Sequence, residues 1–295
     1  DRTTNPVQAR QMIGDIQQQT GVSIRAICRT LGLPRSSYYH AAQRTDTELA
    51  DDRIGQLIEE IFVRHRSRYG YRRICSELQD HDVTCAPARV RRIMKQRGLR
   101  AIQPKNFTPK TSDGKAAKPA PNLLADKPFP ARPDQAWVGD ITFIPTASGW
   151  IYLAVIIDLC SRKIVGWSLA DHMRKELVID ALRNALQSRR NSEEVIFHSD
   201  RGSQYGSKAY REMLRQNGMR QSMSARANPY DNAWTESFIG TLKREMLRGG
   251  TFIDQGDART EIFEYVEAYY NNQRKHSSLG NITPNQFEAK ILTLN

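Results

Sequence analysis

Three apolar runs separated by turn-length gaps restrict this chain more than any other feature. They are Trp137-Val138-Gly139-Asp140-Ile141-Thr142-Phe143-Ile144, the stretch from Trp150 to Asp158, and the stretch from Lys163 to Leu169. Thr146-Ala147-Ser148-Gly149 and Leu159-Cys160-Ser161-Arg162 join them. A parallel crossover needs about a dozen residues or more, so the three strands form an antiparallel meander. Apolar residues at helical spacing then predict a helix from Arg174 to Ser188, followed by a buried strand from Val195 to Asp200. A helix near Ser207–Gln216, a strand at Arg220–Ser224 and a long helix near Asp231–Leu247 complete a three-layer α/β unit.

Within that unit three acidic residues stand out. Asp140 interrupts the apolar first strand, where an ionised carboxylate is costly unless it is paired or bound to metal. Asp200 ends the fourth strand, the place where ligands gather in open sheets. Glu236 lies on the long helix, and Lys243 follows seven residues later on the same helix face, whereas Asp231 points elsewhere and reads as an N-cap. Two strand carboxylates and one helix carboxylate can hold two Mg²⁺ ions, with Mn²⁺ as a substitute, because hard cations select oxygen ligands. Such a pair serves in-line displacement at phosphorus. Backbone hydrogen bonding is the structural alternative for Asp140, and simple solvation is the alternative for Lys243. The sequence offers no Gly-rich Lys-Ser/Thr phosphate loop, no Gly-x-Ser-x-Gly elbow and no Cys/His nucleophile pair.

The formal net charge is +12 over 295 residues, and it is unevenly placed. Before residue 131 there are 23 Lys and Arg against 13 Asp and Glu, and after it 21 against 19. A basic half favours a polyanion through counterion release, so nucleic acid is the expected partner. Ser23 caps a short helix ending near Leu31, Gly32-Leu33-Pro34 breaks it, and Arg35-Ser36-Ser37 opens the next. This is a helix-turn-helix pattern that presents Arg35 and Ser36 to a groove. A second basic module follows, with Arg72 and the helix carrying Arg89, Arg91, Arg92, Lys95 and Arg97, and Thr84 as its candidate N-cap. The expected organisation is thus a helix-turn-helix module over 1–45, a second such module over 46–102, a Pro/Lys-rich linker over 103–133 and a catalytic domain over 134–295. Four scattered cysteines without a Cys-x-x-Cys pair indicate neither a zinc ribbon nor a disulfide framework. No apolar run is long enough to span a membrane and no leader opens the chain, so the expectation is a cytoplasmic, nucleoid-associated protein. The first residue is Asp1, not Met, which leaves room for an upstream segment.

Several blocks resemble one family, the retroviral-integrase-like (DDE) insertion-sequence transposases of bacteria whose elements join two reading frames by frameshifting. The blocks are Trp137-Val138-Gly139-Asp140-Ile141-Thr142, then His198-Ser199-Asp200-Arg201-Gly202-Ser203-Gln204-Tyr205, and Asn228-Pro229-Tyr230-Asp231-Asn232-Ala233 with Glu236-Ser237-Phe238 and Leu242-Lys243. Tyr269-Tyr270-Asn271 through Arg274, His276, Leu279 and Pro284 continue the likeness, and Tyr69-Gly70-Tyr71-Arg72 resembles the family's upstream module. Asp200 and Glu236 are separated by 35 residues, the family's signature spacing. The resemblance implies an RNase H-like core with a mixed five-stranded sheet and helices on both faces. It also implies Asp140, Asp200 and Glu236 as metal ligands, binding of terminal inverted repeats, cleavage to a 3′-hydroxyl and strand transfer into target DNA. Pairing two ends implies a homodimer or higher oligomer. Gly139 departs from the family, which more often has a polar residue such as Thr there. Two alternatives remain open on the sequence: a metal-dependent nuclease with the same core, and a non-catalytic DNA-binding protein derived from a transposase.

Overall fold

A computed structural model describes residues 6–102, 119–125, 128–189, 192–224, 233–247 and 250–293. The chain divides into two compact units, Asp1–Ala101 and Ile102–Asn295.

The first unit is helical: α1 (Pro6–Thr20), α2 (Ile24–Thr30), α3 (Arg35–Arg64), α4 (Tyr71–Asp80) and α5 (Pro87–Gln96). Ser23 caps α2 as expected, its hydroxyl accepting from the Ala26 N–H at 3.4 Å, and Gly32 takes the positive φ of 65° that ends it. Ile13, Ile27 and Cys28 bury one small core, while Ile58, Ile61, Tyr69, Ile74, Leu78, Val90 and Ile93 bury a second. Each such side chain, fully buried, contributes about 1.5–3 kcal/mol. Two expectations are corrected here. The boundary placed at 45/46 falls inside α3, a single 30-residue helix, because Ala41, Ala42, Gln43, Arg44, Glu48, Leu49 and Ala50 are strong helix formers and neither Gly nor Pro intervenes. The cap of α5 is Ala86 rather than Thr84, since Pro87 occupies the first helical position, where its missing N–H costs nothing.

In the second unit, β1 (Ala136–Thr146), β2 (Gly149–Asp158) and β3 (Ile164–Ala170) form the anticipated antiparallel meander. After α6 (Lys175–Ser188) the chain returns to the other side of β1. There β4 (Ile196–Ser199) pairs with β1 in parallel, and after α7 (Lys208–Gln216), β5 (Arg220–Met223) pairs with β4. The sheet order is β3-β2-β1-β4-β5. Strand alternation sends Trp137 and Ile141 to one face, where they join Leu182, Tyr210 and Leu214. It sends Val138 and Ile144 to the other, where they meet Phe238, Ile239 and Leu242 of α8 (Ala233–Leu247). Helices therefore cover both faces of a mixed five-stranded sheet, as the resemblance implied.

Part of the stretch expected as linker is packed. Leu123 and Leu124 pack on the core, the Leu123 N–H donates to Ser222 Oγ at 2.8 Å, and the Met223 N–H donates to the Pro121 carbonyl, so this stretch lines the β5 edge. Residues 103–118 and Asp231, the candidate N-cap, lie outside the described residues. Past α8 come elements the sequence reading had left unassigned: α9 (Gln255–Phe263), a π-helical turn (Glu264–Tyr270), a 3₁₀ turn (Ser277–Leu279) and α10 (Pro284–Thr293). Their start signals are ordinary ones. The Asp254 carboxylate accepts from the Asp257 N–H, and Thr283 and Gln286 exchange side-chain-to-backbone bonds as a capping box ahead of α10. Arg274 ties this segment to α8 through a buried bidentate ion pair with Glu245 (2.7 and 2.9 Å), and the Tyr265 hydroxyl donates to the same carboxylate at 3.0 Å. Among the described residues no helix is long and apolar enough to cross a membrane.

Candidate active site

The strand order reverses between β1 and β4, the switch point where open sheets place their ligand sites. Gly139 is in register with Ser199, the last residue of β4, so Asp140 and Asp200 are the next residues along neighbouring parallel strands. Such strands run about 4.8 Å apart. Asp140 is only 7% exposed. Its neighbour is fixed by a tight turn: Asp200 Oδ1 accepts the Gly202 N–H at 2.8 Å, and a Cβ on Gly202 would lie 3.0 Å from that same oxygen. Tyr205 is buried within electrostatic reach of both. Burial raises its phenol pKa well above the ordinary value, and Tyr210, Asp140 and Asp200 push it in the same direction, so the ring stays neutral.

Gly139 has a structural reason. A Cβ there would sit 2.5 Å from Phe197 Cζ and 3.3 Å from the Tyr205 hydroxyl. Phe197 is fully buried and packed against both Tyr205 and Tyr210, so its ring has nowhere to retreat. Gly139→Thr is therefore expected to cost about 1–3 kcal/mol by overpacking. The loss, read as a lower urea midpoint, should shrink when Phe197→Leu is added, and an additive pair of losses would count against this contact.

From α8, Lys243 reaches the same region. Its Nζ lies 4.2 Å from the Phe143 ring centroid. Burial lowers its pKa from the ordinary lysine value, and the Asp140 carboxylate acts in the opposite sense, which puts the two charges within electrostatic reach. Glu236 occupies α8 two turns earlier, on the face that Lys243 shares, but its side chain lies outside those described. Among the described residues no three His, Cys, Asp or Glu side chains converge as a metal cluster. Asp140 and Asp200 nevertheless offer the oxygen ligands that a hard divalent cation selects, from neighbouring strand positions, and Asp140 is largely withdrawn from water.

The remaining predicted contacts belong to the helical unit. Arg35 is exposed at the start of α3, with its guanidinium 5.7 Å from the Tyr39 ring, and the Ser36 side chain lies outside those described. Arg72 is exposed over Tyr71. Arg89 and Arg92 do not stand clear of the protein: both reach Asp51 on α3 at 2.7 Å, and together they hold its carboxyl below the usual range against the opposing effect of burial. Arg97 likewise pairs with Asp52 and Glu59, leaving Arg91 and Lys95 as exposed cations of α5. Sequence spacing could not reveal these pairings, since the acids lie about 40 residues earlier. Tyr205 and Phe143 were also missed as parts of the site; the first fell within a recognised block and the second read only as an apolar strand residue.

Two aspartates at the switch point of a mixed five-stranded sheet, with a helix bringing a lysine within electrostatic reach of the first, define an integrase-type, RNase H-like core. Models of the integrase core domain match residues 130–229 and 217–284, and a model of an HTH-like domain matches 49–107. The chain is 41% identical over 266 residues, 90% of its length and 98% of the relative's, to the insertion element IS600 uncharacterized 31 kDa protein of Shigella sonnei. It is 38% identical over 280 residues, 94% of its length and 97% of the relative's, to transposase InsF for insertion sequence IS3A of Escherichia coli K12. Among solved structures, a simian T-cell lymphotropic virus intasome in complex with PP2A regulatory subunit B56 gamma aligns at TM-score 0.46 and 16% identity, over 72% of this chain and 69% of that one. The chain belongs to the family of insertion-sequence transposases with an integrase core.

Proposed function

We propose that this protein is a Mg²⁺-dependent DNA transposase that binds the terminal inverted repeats of its element, exposes a 3′-hydroxyl and transfers that end into target DNA. The observation that carries the reading is the placement of Asp140 and Asp200 immediately after the last paired residues of the parallel strands β1 and β4, with Lys243, from the helix that also bears Glu236, within electrostatic reach of Asp140. Asp140, Asp200 and Glu236 would hold two Mg²⁺ ions, or Mn²⁺ in their place. When bound, such ions neutralise charge at the scissile phosphodiester and at the attacking and leaving oxygens. The protein's own contribution is positional. Strand pairing fixes Asp140, the turn through Gly202 fixes Asp200, and the Lys243 ammonium is available to a DNA phosphate at the edge of the site. In strand transfer the 3′-hydroxyl oxygen bonds to the target phosphorus and gives up its proton. The bond from that phosphorus to the neighbouring 3′-oxygen breaks, and that oxygen leaves to be protonated.

The division of labour follows the charge. The basic helical modules, through Arg35, Ser36 and Arg72 together with the exposed Arg91 and Lys95, would hold DNA phosphates, while Arg89 and Arg92 act chiefly by fixing α5 against α3. Two ends must be paired, so a homodimer or higher oligomer on DNA is part of the proposal, as is a cytoplasmic site of action. The test is direct. Full-length protein, Mg²⁺ and a pre-cleaved DNA end with a free 3′-hydroxyl should yield covalently joined products on a target duplex. Fragment release without joining would instead assign the core to a metal-dependent nuclease.

A further inference from the structure

Beyond Asp140 the β1–β2 hairpin continues past the end of β4, whose pairing with β1 stops at Gly139. Its tip is anchored. The Thr146 hydroxyl donates to the Gly149 carbonyl at 2.8 Å, and the Ala147 N–H donates to the Phe252 carbonyl at 2.8 Å. On this fixed tip Trp150 remains 55% exposed, with its ring set edge-to-face against Phe143 at 4.9 Å and an interplanar angle of 85°. Phe143 in turn lies beneath the Lys243 ammonium. Exposure alone would mean little, since Val63, Ile253 and Leu292 are more exposed; what sets Trp150 apart is its neighbours. It packs on Phe143, the ring that also lies beneath the Lys243 ammonium, and Lys243 is within electrostatic reach of Asp140.

We propose that Trp150, backed by Phe143, is a stacking platform for an unpaired base of the DNA strand engaged at Asp140 and Asp200. The inference rests on the catalytic reading above for the DNA's presence but assigns a separate contact. Trp150 is in register with Pro145, five residues along β1 from Asp140. At about 3.4 Å per strand residue that is roughly 17 Å, or about five nucleotides at duplex spacing. The platform therefore reads a base within about five nucleotides of the scissile phosphate. Any base has a π-face to offer, so the contact favours strand opening over a particular sequence.

The experiment scans 2-aminopurine through the six terminal positions of an inverted-repeat end bound to full-length protein, comparing wild type, Trp150→Phe and Trp150→Ala. Trp150 is exposed, so both variants keep the fold. At one or two positions wild type and Trp150→Phe should alter the probe's emission while Trp150→Ala does not. Joining by Trp150→Ala should also fall by roughly five-fold or more, with Trp150→Phe restoring it. Equal emission from wild type and Trp150→Ala at all six positions overturns the proposal. So does a Trp150→Ala variant whose oligomeric state changes while the emission pattern persists, which would give this face to a second copy of the chain. Should wild type shift the probe's emission through Trp150 yet join no ends, the catalytic reading fails and the platform stands.

Discussion

Asp200→Asn, assayed for joining of a pre-cleaved end in Mg²⁺, is expected to lose roughly 10²–10³-fold in rate or more while the protein stays folded. Asparagine keeps the volume and the side-chain oxygen that accepts the Gly202 N–H, so the turn after β4 persists. What it removes is one of two adjacent negative charges, and with it a ligand for a divalent cation. Asp140→Asn should behave alike, because it alters a carboxylate that is only 7% exposed without changing its size. The two losses can be told from unfolding by thermal denaturation. Without divalent metal, either variant should unfold as cooperatively as wild type. Added Mg²⁺ or Mn²⁺ should raise the wild-type midpoint by binding the folded state, and this rise should be absent from both variants. Wild-type joining rates in Asp200→Asn would reduce the protein to a DNA-binding descendant of a transposase.

Arg274→Met is expected to cost about 3–5 kcal/mol in unfolding free energy, a large fraction of the ~5–15 kcal/mol that holds a domain together. The guanidinium and the Glu245 carboxylate are each about 5% exposed, so removing one strands the other in a medium that cannot solvate it. Tyr265 would remain as a hydrogen-bond donor to the orphaned acid, but one phenol does not replace two charge-assisted bonds. Pairing Arg274→Met with Glu245→Leu removes both charges, and it should recover most of the loss in urea denaturation. If the double variant is as unstable as the single one, the cost lies in packing. Because α8 also carries Lys243 and Glu236, Arg274→Met should depress strand joining even where the fold survives.

How far the sequence could be read depended on whether a signal was local. The meander β1–β3 was legible because gaps of four residues admit one topology, and Asp140 was legible because a charge within an apolar strand demands a reason. The boundary expected at 45/46 falls inside α3, because the helix formers on either side outweigh Thr45, Asp46 and Thr47. The Glu245–Arg274 pair and the Arg89–Asp51 pair span 29 and 38 residues, with no pattern joining their members. Nor could strand alternation foretell that Lys243 would lie over Phe143, since that depends on where α8 crosses the sheet. Gly139 shows the same limit in reverse: it read as a departure from the family, and its cause was a phenylalanine on the neighbouring strand.

The unbroken run of α3 has a mechanical consequence for how the two small modules can meet a duplex. Thirty residues at about 1.5 Å each make a rod of roughly 45 Å, so Arg35 at one end and the α4–α5 pair at the other are coupled in both spacing and rotation. Inserting one residue midway would swing one end about 100° around the rod axis relative to the other, so Arg35 and the α4–α5 pair would no longer face the same way. If both modules hold DNA as proposed, a strut of this kind would measure distance along it much as a pair of calipers does.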